Sequence, residues 1–388
     1  MLEEVNVALG VTGSIAAVRT VELAHELRRR GANVRAVTTP AAADVINPWA
    51  LQFATDHEVV TEITGAVEHV ALCGREGWAD VLVIAPATAN TVGKVAAAVD
   101  DTPVTTCATT ALGADVPVVV APAMHEPMYD HPGVLDAIDR LASWGVSFVD
   151  PRIEEGKAKI ATDEAIAIET ARAVGDRPLD GRRVVVTSGA TTESIDPVRT
   201  LSNRASGRTG RAVARACYVR GAAVTLVHDG PEVPYADVRP VESAEEMLAG
   251  VEDAVIDADA LVSAAAIGDY TVETSDEKIR SGQDDLVLEL RPTPKLLDAV
   301  RAANPDLAMV GFKVETDGDD ALVSRARALL ERVDLSFVVA NDADVMGAET
   351  TRAVVVRADD SDPFEGSKDA LGARVADELA AELVDRSA

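Results

Sequence analysis

The chain has few of the residues that build covalent or metal-bound scaffolds. Its 388 residues include three cysteines, Cys73, Cys107 and Cys217, whose spacing fits neither a disulfide framework nor a zinc site. A membrane-spanning helix would need a run of about 18 or more uncharged apolar residues, and no such run occurs in the sequence. The first residues, MLEEVNVALG, also lack the basic and long apolar segments of a signal peptide. We therefore expect a cytoplasmic protein.

Lysine is scarce as well, since only seven of the 36 basic residues are lysines, and 65 acidic residues give a net charge of -29. Because 47% of the residues are hydrophobic, this charge does not indicate disorder. An acidic, lysine-poor surface predicts work in concentrated salt and disfavours nucleic acid and anionic membranes as partners. An anionic small molecule would need local positive charge, so every lysine is of interest: Lys94, Lys157, Lys159, Lys278, Lys295, Lys313 and Lys368.

Both halves of the chain begin with the same pattern. A short strand (residues 5–9 in the first half and 184–186 in the second) leads into a small-residue loop and a helix. This order is typical of βαβ units and parallel sheets, so we predict an α/β protein of two doubly wound, Rossmann-like domains. A Gly- and Pro-containing break near residue 176 predicts domains over 1–176 and 177–388, and the chain should end in an amphipathic helix.

The most informative stretch covers residues 182–216, RRVVVTSGATTESIDPVRTLSNRASGRTGRAVARA. A buried strand is followed by a glycine loop, and a second small-residue cluster opens a helix. Free N–H groups at a helix start attract anions, and glycines let a phosphate approach the backbone. Arg199 and Asn203 should converge on the same helix end. The stretch predicts an anion site, although a tight strand-to-helix turn has the same local signature.

The first half also has polar residues after its strands. The loop GVTGSI is too short for the dinucleotide fingerprint, and no acidic residue follows the second strand at Val37-Thr38-Thr39-Pro40. A mononucleotide is therefore a better ligand than NAD. His69, taken alone, is more readily a surface or structural histidine than a catalytic one.

These motifs carry a resemblance to a known family. The motif DPVR followed by SNRASG resembles the phosphopantothenate–cysteine ligase half of the bifunctional coenzyme A biosynthesis proteins. Within that family the chain resembles the halophilic archaeal type. GVTGSIAA, APATANT and APAM, in this order, resemble the flavin-dependent phosphopantothenoylcysteine decarboxylase half. The resemblance implies that CTP and Mg²⁺ drive ligation of cysteine to 4'-phosphopantothenate through an acyl-cytidylate. FMN-dependent decarboxylation of 4'-phosphopantothenoylcysteine to 4'-phosphopantetheine would follow, in a homo-oligomer.

In the first half the resemblance implies a set of FMN-binding residues: Thr12, Gly13, Ser14, Ile15 and Thr38 for the phosphate and ribityl chain, Ala87, Thr88, Ala89 and Asn90 near the ring, and Met124. His69 would be the base for the substrate thiol or carboxyl end. Two departures concern the substrate. His125 stands where the family has an asparagine, and residues 154–160 lack the family's flap cysteine. Lys157 or Lys159 would then be the acid, unless they bind phosphate or lie in a solvated hairpin.

In the second half the resemblance implies that Arg199 and Asn203 handle the acyl-cytidylate. The CTP-binding residues would be Gly207, Gly210, Ser263, Ala264, Ala265, Asp269, Lys278, Thr293, Pro294, Lys295, Leu296, Phe312 and Arg327. Lys278 would meet the triphosphate and Phe312 would pack on the base. Glu331 replaces a second family lysine, with Arg332 beside it. No metal ligands are implied.

Two alternatives stay open from the sequence. In the first alternative, only the ligase half has the activity given above, and the flavin half acts on a different substrate. In the second the chain is a binding or regulatory protein with a vestigial flavin site, which the missing flap cysteine favours.

Overall fold

The computed structural model describes residues 1–154, 157–280, 285–315, 319–342 and 350–386. It divides into two compact units, Met1–Asp176 and Arg177–Ala388. Within the described residues no helix is both long and apolar enough to cross a membrane.

The first unit is built on a five-stranded parallel sheet of order β2-β1-β3-β4-β6. Its strands are β1 (Asn6–Val11), β2 (Asn33–Thr38), β3 (Val81–Ala87), β4 (Val118–Pro122) and β6 (Ser147–Phe148). A small antiparallel sheet joins β5 (Met124–His125), β8 (Lys157–Lys159) and β7 (Arg152–Glu154). The continuous apolar character of β3 and β4 is typical of strands buried on both faces.

Helices connect the parallel strands of the first unit, after a 3-10 helix over Ile15–Arg19. They are α1 (Thr20–Arg29), α2 (Pro40–Ala43), α3 (Pro48–Thr55), α4 (Glu68–Cys73), α5 (Ala89–Ala96), α6 (Pro103–Gly113), α7 (Glu126–Tyr129), α8 (Pro132–Ser143) and α9 (Asp163–Val174). Threonine side chains cap several of them, since Thr88 accepts from an amide in the first turn of α5 and Thr102 forms a capping box at α6. The predicted βαβ start is thus confirmed.

The second unit has an eight-stranded sheet of order β13-β12-β9-β14-β17-β18-β19-β20. Its strands are β9 (Arg183–Thr187), β12 (Ala223–His228), β13 (Asp237–Pro240), β14 (Ala260–Ser263), β17 (Ala308–Glu315), β18 (Phe337–Asp342), β19 (Thr350–Val356) and β20 (Ser361–Ser367). The first six are parallel, whereas β19 and β20 form an antiparallel hairpin at the edge. The sequence predicted only the parallel part, because a short hairpin needs no crossover helix to mark it.

Within the described residues, two pairs of short strands and five helices complete the second unit. The pairs are β10 (Thr192–Ser194) with β11 (Thr200–Ser202), and β15 (Tyr270–Val272) with β16 (Leu290–Pro292). The helices are α10 (Arg208–Val219), α11 (Ala244–Ala254), α12 (Leu296–Ala303), α13 (Asp319–Val333) and α14 (Lys368–Asp385). In both units the loops after the parallel strands emerge at one edge of the sheet, which is where open α/β sheets bind ligands.

Candidate functional site

A cavity of about 620 Å³ lies at the carboxyl edge of the sheet in the second unit. It is lined by the first turn of α10, by the segments that follow β14 and β16, and by residues of β17. Twelve of the predicted site residues line it: Asn203, Gly207, Gly210, Ser263, Ala264, Ala265, Asp269, Thr293, Pro294, Lys295, Leu296 and Phe312. Segments distant in sequence are therefore brought together around one space.

Two glycines set how closely α10 approaches the loop after β9. Gly207 precedes the helix with a φ of 69°, a conformation that side chains disfavour. The Ser188 hydroxyl donates to the Gly207 carbonyl over 2.8 Å. A Cβ atom on Gly210 would lie 2.6 Å from the Ser188 Cβ and 2.8 Å from the Thr187 carbonyl oxygen. The free N–H groups of the helix start are thus held at the cavity without intervening side chains.

The loop after β14 is fixed by side chains from the loop after β9. The amide of Ala265 donates to the Thr187 hydroxyl at 3.1 Å, and that of Gly268 donates to the Thr191 hydroxyl at 2.8 Å. The Asn203 side-chain amide donates to the Ala266 carbonyl at 2.8 Å. This network rigidifies the cavity wall on which a ligand would lie.

An exposed ion pair also lines the cavity. Lys295 Nζ lies 2.5 Å from an Asp269 carboxylate oxygen, and the Thr293 hydroxyl donates to the Gly268 carbonyl at 2.5 Å. Both charged side chains are more than half exposed, so water screens their attraction. Lys295 can therefore exchange Asp269 for an anionic ligand at little cost.

Three residues predicted for this site lie outside the cavity lining: Arg199, Lys278 and Arg327. Lys278 is exposed in the segment leading to residue 280, and Arg327 is half-buried on α13. Arg332 lines the cavity instead. It is five residues further along α13, a rotation of about 140° around the helix, so the two arginines lie on different faces.

Arg199 belongs to a turn that anchors the Lys278 segment. Its guanidinium pairs with Asp196 and donates to the Ile279 carbonyl at 2.5 Å. The Asp196 carboxylate also accepts from the amides of Val198 and Ile279, at 2.9 and 3.1 Å. Burial by itself raises the pKa of Asp196, but the hydrogen bonds from Val198, Arg199 and Ile279 outweigh it and lower the pKa to about 2.

We expect Asp196→Asn to destabilise the second unit, with a loss that depends on pH. Because the folded pKa lies below the ordinary 3.8, the stabilisation by the carboxylate is complete above about pH 4 and is lost as the pH falls towards 2. Urea unfolding midpoints of both proteins should therefore differ most near neutral pH and converge below about pH 4. If the difference between the two midpoints stayed constant from neutral pH down to about pH 2, the role given to the carboxylate would be contradicted.

The sequence reasoning missed several polar residues of the cavity. Asn341 at the end of β18, Thr351 at the start of β19 and Lys368 at the start of α14 all line it. Arg208, in the first turn of α10, does as well. The usable signals were the position of Asn341 at the carboxyl end of a strand and the scarcity of lysine. Neither signal indicates which distant segments meet.

In the first unit, hydroxyl groups join three loops at the carboxyl edge of the sheet. The Thr12 hydroxyl donates to the Pro86 carbonyl at 2.8 Å and accepts from the Thr88 amide at 3.1 Å. The Ser14 hydroxyl donates to the Ala123 carbonyl at 3.2 Å. The loops after β1, β3 and β4 are thus connected, as a site built from several strand ends requires.

The remaining predicted FMN-binding residues occupy the same strand ends. A Cβ atom on Gly13 would lie 2.6 Å from the Ala41 Cβ, so this position has no room for a side chain. Thr38 is buried at the end of β2, and its hydroxyl has no partner among the described residues. Ile15 is exposed, Ala87 ends β3, and Ala89 and Asn90 form the first turn of α5. The unpaired Thr38 hydroxyl is the feature of this set that most calls for a ligand.

The candidate catalytic residues of the first unit lie on three elements. His69 is in the first turn of α4, half-buried, with an enclosed Nδ1 that has no partner among the described residues. Met124 and His125 form β5, which pairs with Ala158 and Lys157 of β8. The Lys157 side chain lies outside the described residues, and Lys159 is half-buried. The structure thus places His125 beside the hairpin that resembles the family's flap.

Comparison with known proteins follows this division of the chain. The family model for the Flavoprotein domain matches residues 1–175, and that for the DNA/pantothenate metabolism flavoprotein C-terminal domain matches residues 179–383. The chain is 47% identical over 360 residues to the coenzyme A biosynthesis bifunctional protein CoaBC of Thermococcus kodakarensis, covering 91% of this chain and 89% of that one. It belongs to the CoaBC family.

Two further family members are similar over most of their length. The CoaBC protein of Methanocaldococcus jannaschii is 34% identical over 386 residues, covering 98% of this chain and 94% of the relative. That of Bacillus subtilis is 34% identical over 372 residues, covering 90% and 88%. The chain is a bifunctional enzyme of coenzyme A biosynthesis, a flavoprotein with decarboxylase and ligase activities, as the motifs predicted.

Proposed function

We propose that the second unit joins cysteine to 4'-phosphopantothenate with CTP and Mg²⁺, and that the first unit decarboxylates the product with FMN. The observation that carries the ligase half is the cavity in which the first turn of α10 meets the loop after β14. It combines free N–H groups, cationic side chains and space for a nucleotide, which an acyl-cytidylate reaction requires.

In the ligase reaction charge grows on the α-phosphate and on the departing pyrophosphate. The N–H groups of the α10 start would stabilise that charge, and Asn203, fixed on the Ala266 carbonyl, would orient the acyl group. Phe312 would pack against the base. We assign no protein ligands to Mg²⁺, because Mg²⁺ in nucleotide sites is bound largely through the phosphates.

The first unit fits FMN at the strand ends described above. The unpaired Thr38 hydroxyl and the cramped Gly13 position would hold the phosphate and ribityl chain, and the first turn of α5 would lie near the ring. When bound, FMN supplies a reversible two-electron oxidation of the cysteinyl thiol, which makes loss of CO₂ possible.

The other steps of decarboxylation fall to side chains of this chain. His69, half-buried in the first turn of α4, would take the thiol proton, because an imidazole can accept and release a proton. His125 would donate a hydrogen bond to the substrate. Lys157 and Lys159 are the candidates for the final protonation, since residues 154–160 contain no cysteine. We also propose a cytoplasmic location and a homo-oligomeric assembly, as the family resemblance implies.

One reaction tests the proposal. The purified chain is incubated in high salt with 4'-phosphopantothenate, cysteine, CTP and Mg²⁺, and the products are analysed by mass spectrometry. We expect 4'-phosphopantetheine. Accumulation of 4'-phosphopantothenoylcysteine alone would support the ligase and contradict the substrate given to the flavin unit. Equal turnover with ATP would contradict the preference for CTP.

A further inference from the structure

Two helices of the second unit begin side by side at one end of the cavity. Arg208 opens α10 and Lys368 opens α14, and both residues line the cavity. A Cβ atom on Gly372 would lie 2.6 Å from the Ala212 backbone, so the helices pack without a side chain between them. Both helix starts, each with a partial positive charge, are therefore directed to the same space.

Lys368 is buried there, and no residue of the described part of the chain serves as its counter-ion. Its exposure is 9%, and within the described residues it makes no hydrogen bond or ion pair. Burial lowers the pKa of Lys368, and the neighbouring Arg208 lowers it further. The adjacent Asp369 does not neutralise the charge of Lys368, because its carboxylate pairs with Arg215 at 2.5 Å. A buried cation beside a second cation is costly unless an anion joins them.

Two further polar groups that line the cavity lack hydrogen-bond partners among the described residues. The Asn341 Oδ1 and the Thr351 hydroxyl are buried, and neither has a hydrogen-bond partner among the described residues. Both residues line the cavity, Asn341 on β18 and Thr351 on the neighbouring strand β19. Since buried polar groups are nearly always paired, these residues indicate a polar ligand rather than an apolar one.

We propose that Lys368, with the first turn of α14, binds the pyrophosphate portion of the nucleotide opposite the first turn of α10. This inference rests on the proposed ligase function. The substrate carboxylate oxygen forms a bond to the α-phosphorus while the bond from that phosphorus to its bridging oxygen breaks. Pyrophosphate leaves with the electron pair, and Lys368 offsets the charge that it gains. No motif used above for the CTP site includes Lys368.

Calorimetric titration of the full chain with pyrophosphate and with CTP tests this role. Lys368→Met should weaken both ligands by about 10- to 100-fold, the range for a lost hydrogen bond to a charged group. Its melting temperature without ligand should be equal to or above that of the wild type, because a buried charge is removed. Lys94→Met removes the same charge from a surface pair with Asp101 in the first unit, and should leave both affinities unchanged.

The possible outcomes separate this inference from the proposed function. Wild-type affinity for both ligands in Lys368→Met, with a lowered melting temperature, would mean a structural role and overturn the inference while the nucleotide site stands. Binding of pyrophosphate but not CTP by the wild type, lost in the variant, would support the subsite and overturn the nucleotide. Binding of neither ligand by the wild type would overturn both. If Lys368→Met does not fold, Lys368→Gln, which keeps a donor without the charge, gives the same test.

Discussion

Replacing His69 with asparagine should lower the rate of decarboxylation by about 10²- to 10⁴-fold, the usual contribution of a positioned acid–base group. His69 lies in the first turn of α4, behind Val67, whose φ of 59° sets the direction of entry into the helix. Its Nδ1 is enclosed and has no protein partner among the described residues, so no protein hydrogen bond to this nitrogen fixes the ring. Asparagine keeps polarity but does not take up a proton near neutral pH.

The measurement follows 4'-phosphopantetheine formation from 4'-phosphopantothenoylcysteine, with pyrophosphate release from CTP recorded on the same sample. Ligation should continue at the wild-type rate, since the second unit has its own core. His131→Asn is a matched control. His131 caps α8 by accepting from the Gly133 amide, which asparagine also does well. Unchanged decarboxylation in His69→Asn, or an equal loss in the control, would contradict the catalytic role.

Gly210→Ala should lower the ligation rate by about 100-fold, the effect of displacing reacting groups by roughly 1 Å. The added Cβ would lie 2.6 Å from the Ser188 Cβ and 2.8 Å from the Thr187 carbonyl oxygen, so the loop after β9 must move. Ser188 also holds the Gly207 carbonyl. The start of α10 would therefore shift away from the position in which its N–H groups meet the phosphates.

The assay is ligation at varied CTP concentration, with decarboxylation by the same protein as an internal reference. Gly113→Ala is the control, because a Cβ at this helical position meets nothing within 4 Å and alanine favours a helix. Both activities should be unchanged in the control. A fully active Gly210→Ala enzyme would show that the close approach of α10 to the loop is not needed for nucleotide binding.

The sequence by itself determined the division into two α/β halves and the strand, loop and helix that start each of them. These features depend on local signals: β-branched runs, glycine loops and the spacing of apolar residues. The amphipathic pattern at the end of the chain likewise predicted α14. The motifs were specific enough to predict the decarboxylase and ligase activities that the family relationship confirms.

Only the tertiary structure decided which distant residues share a site. Lys368 is one of seven lysines in the sequence, and nothing local to it indicates that α14 begins beside α10. Arg332 rather than Arg327 lines the cavity because the rotation of α13 against the sheet selects the face. Asp196 binds the Ile279 amide across the unit. Local patterns specify elements, whereas the cavity depends on long-range packing, where small rotations change which side chains meet.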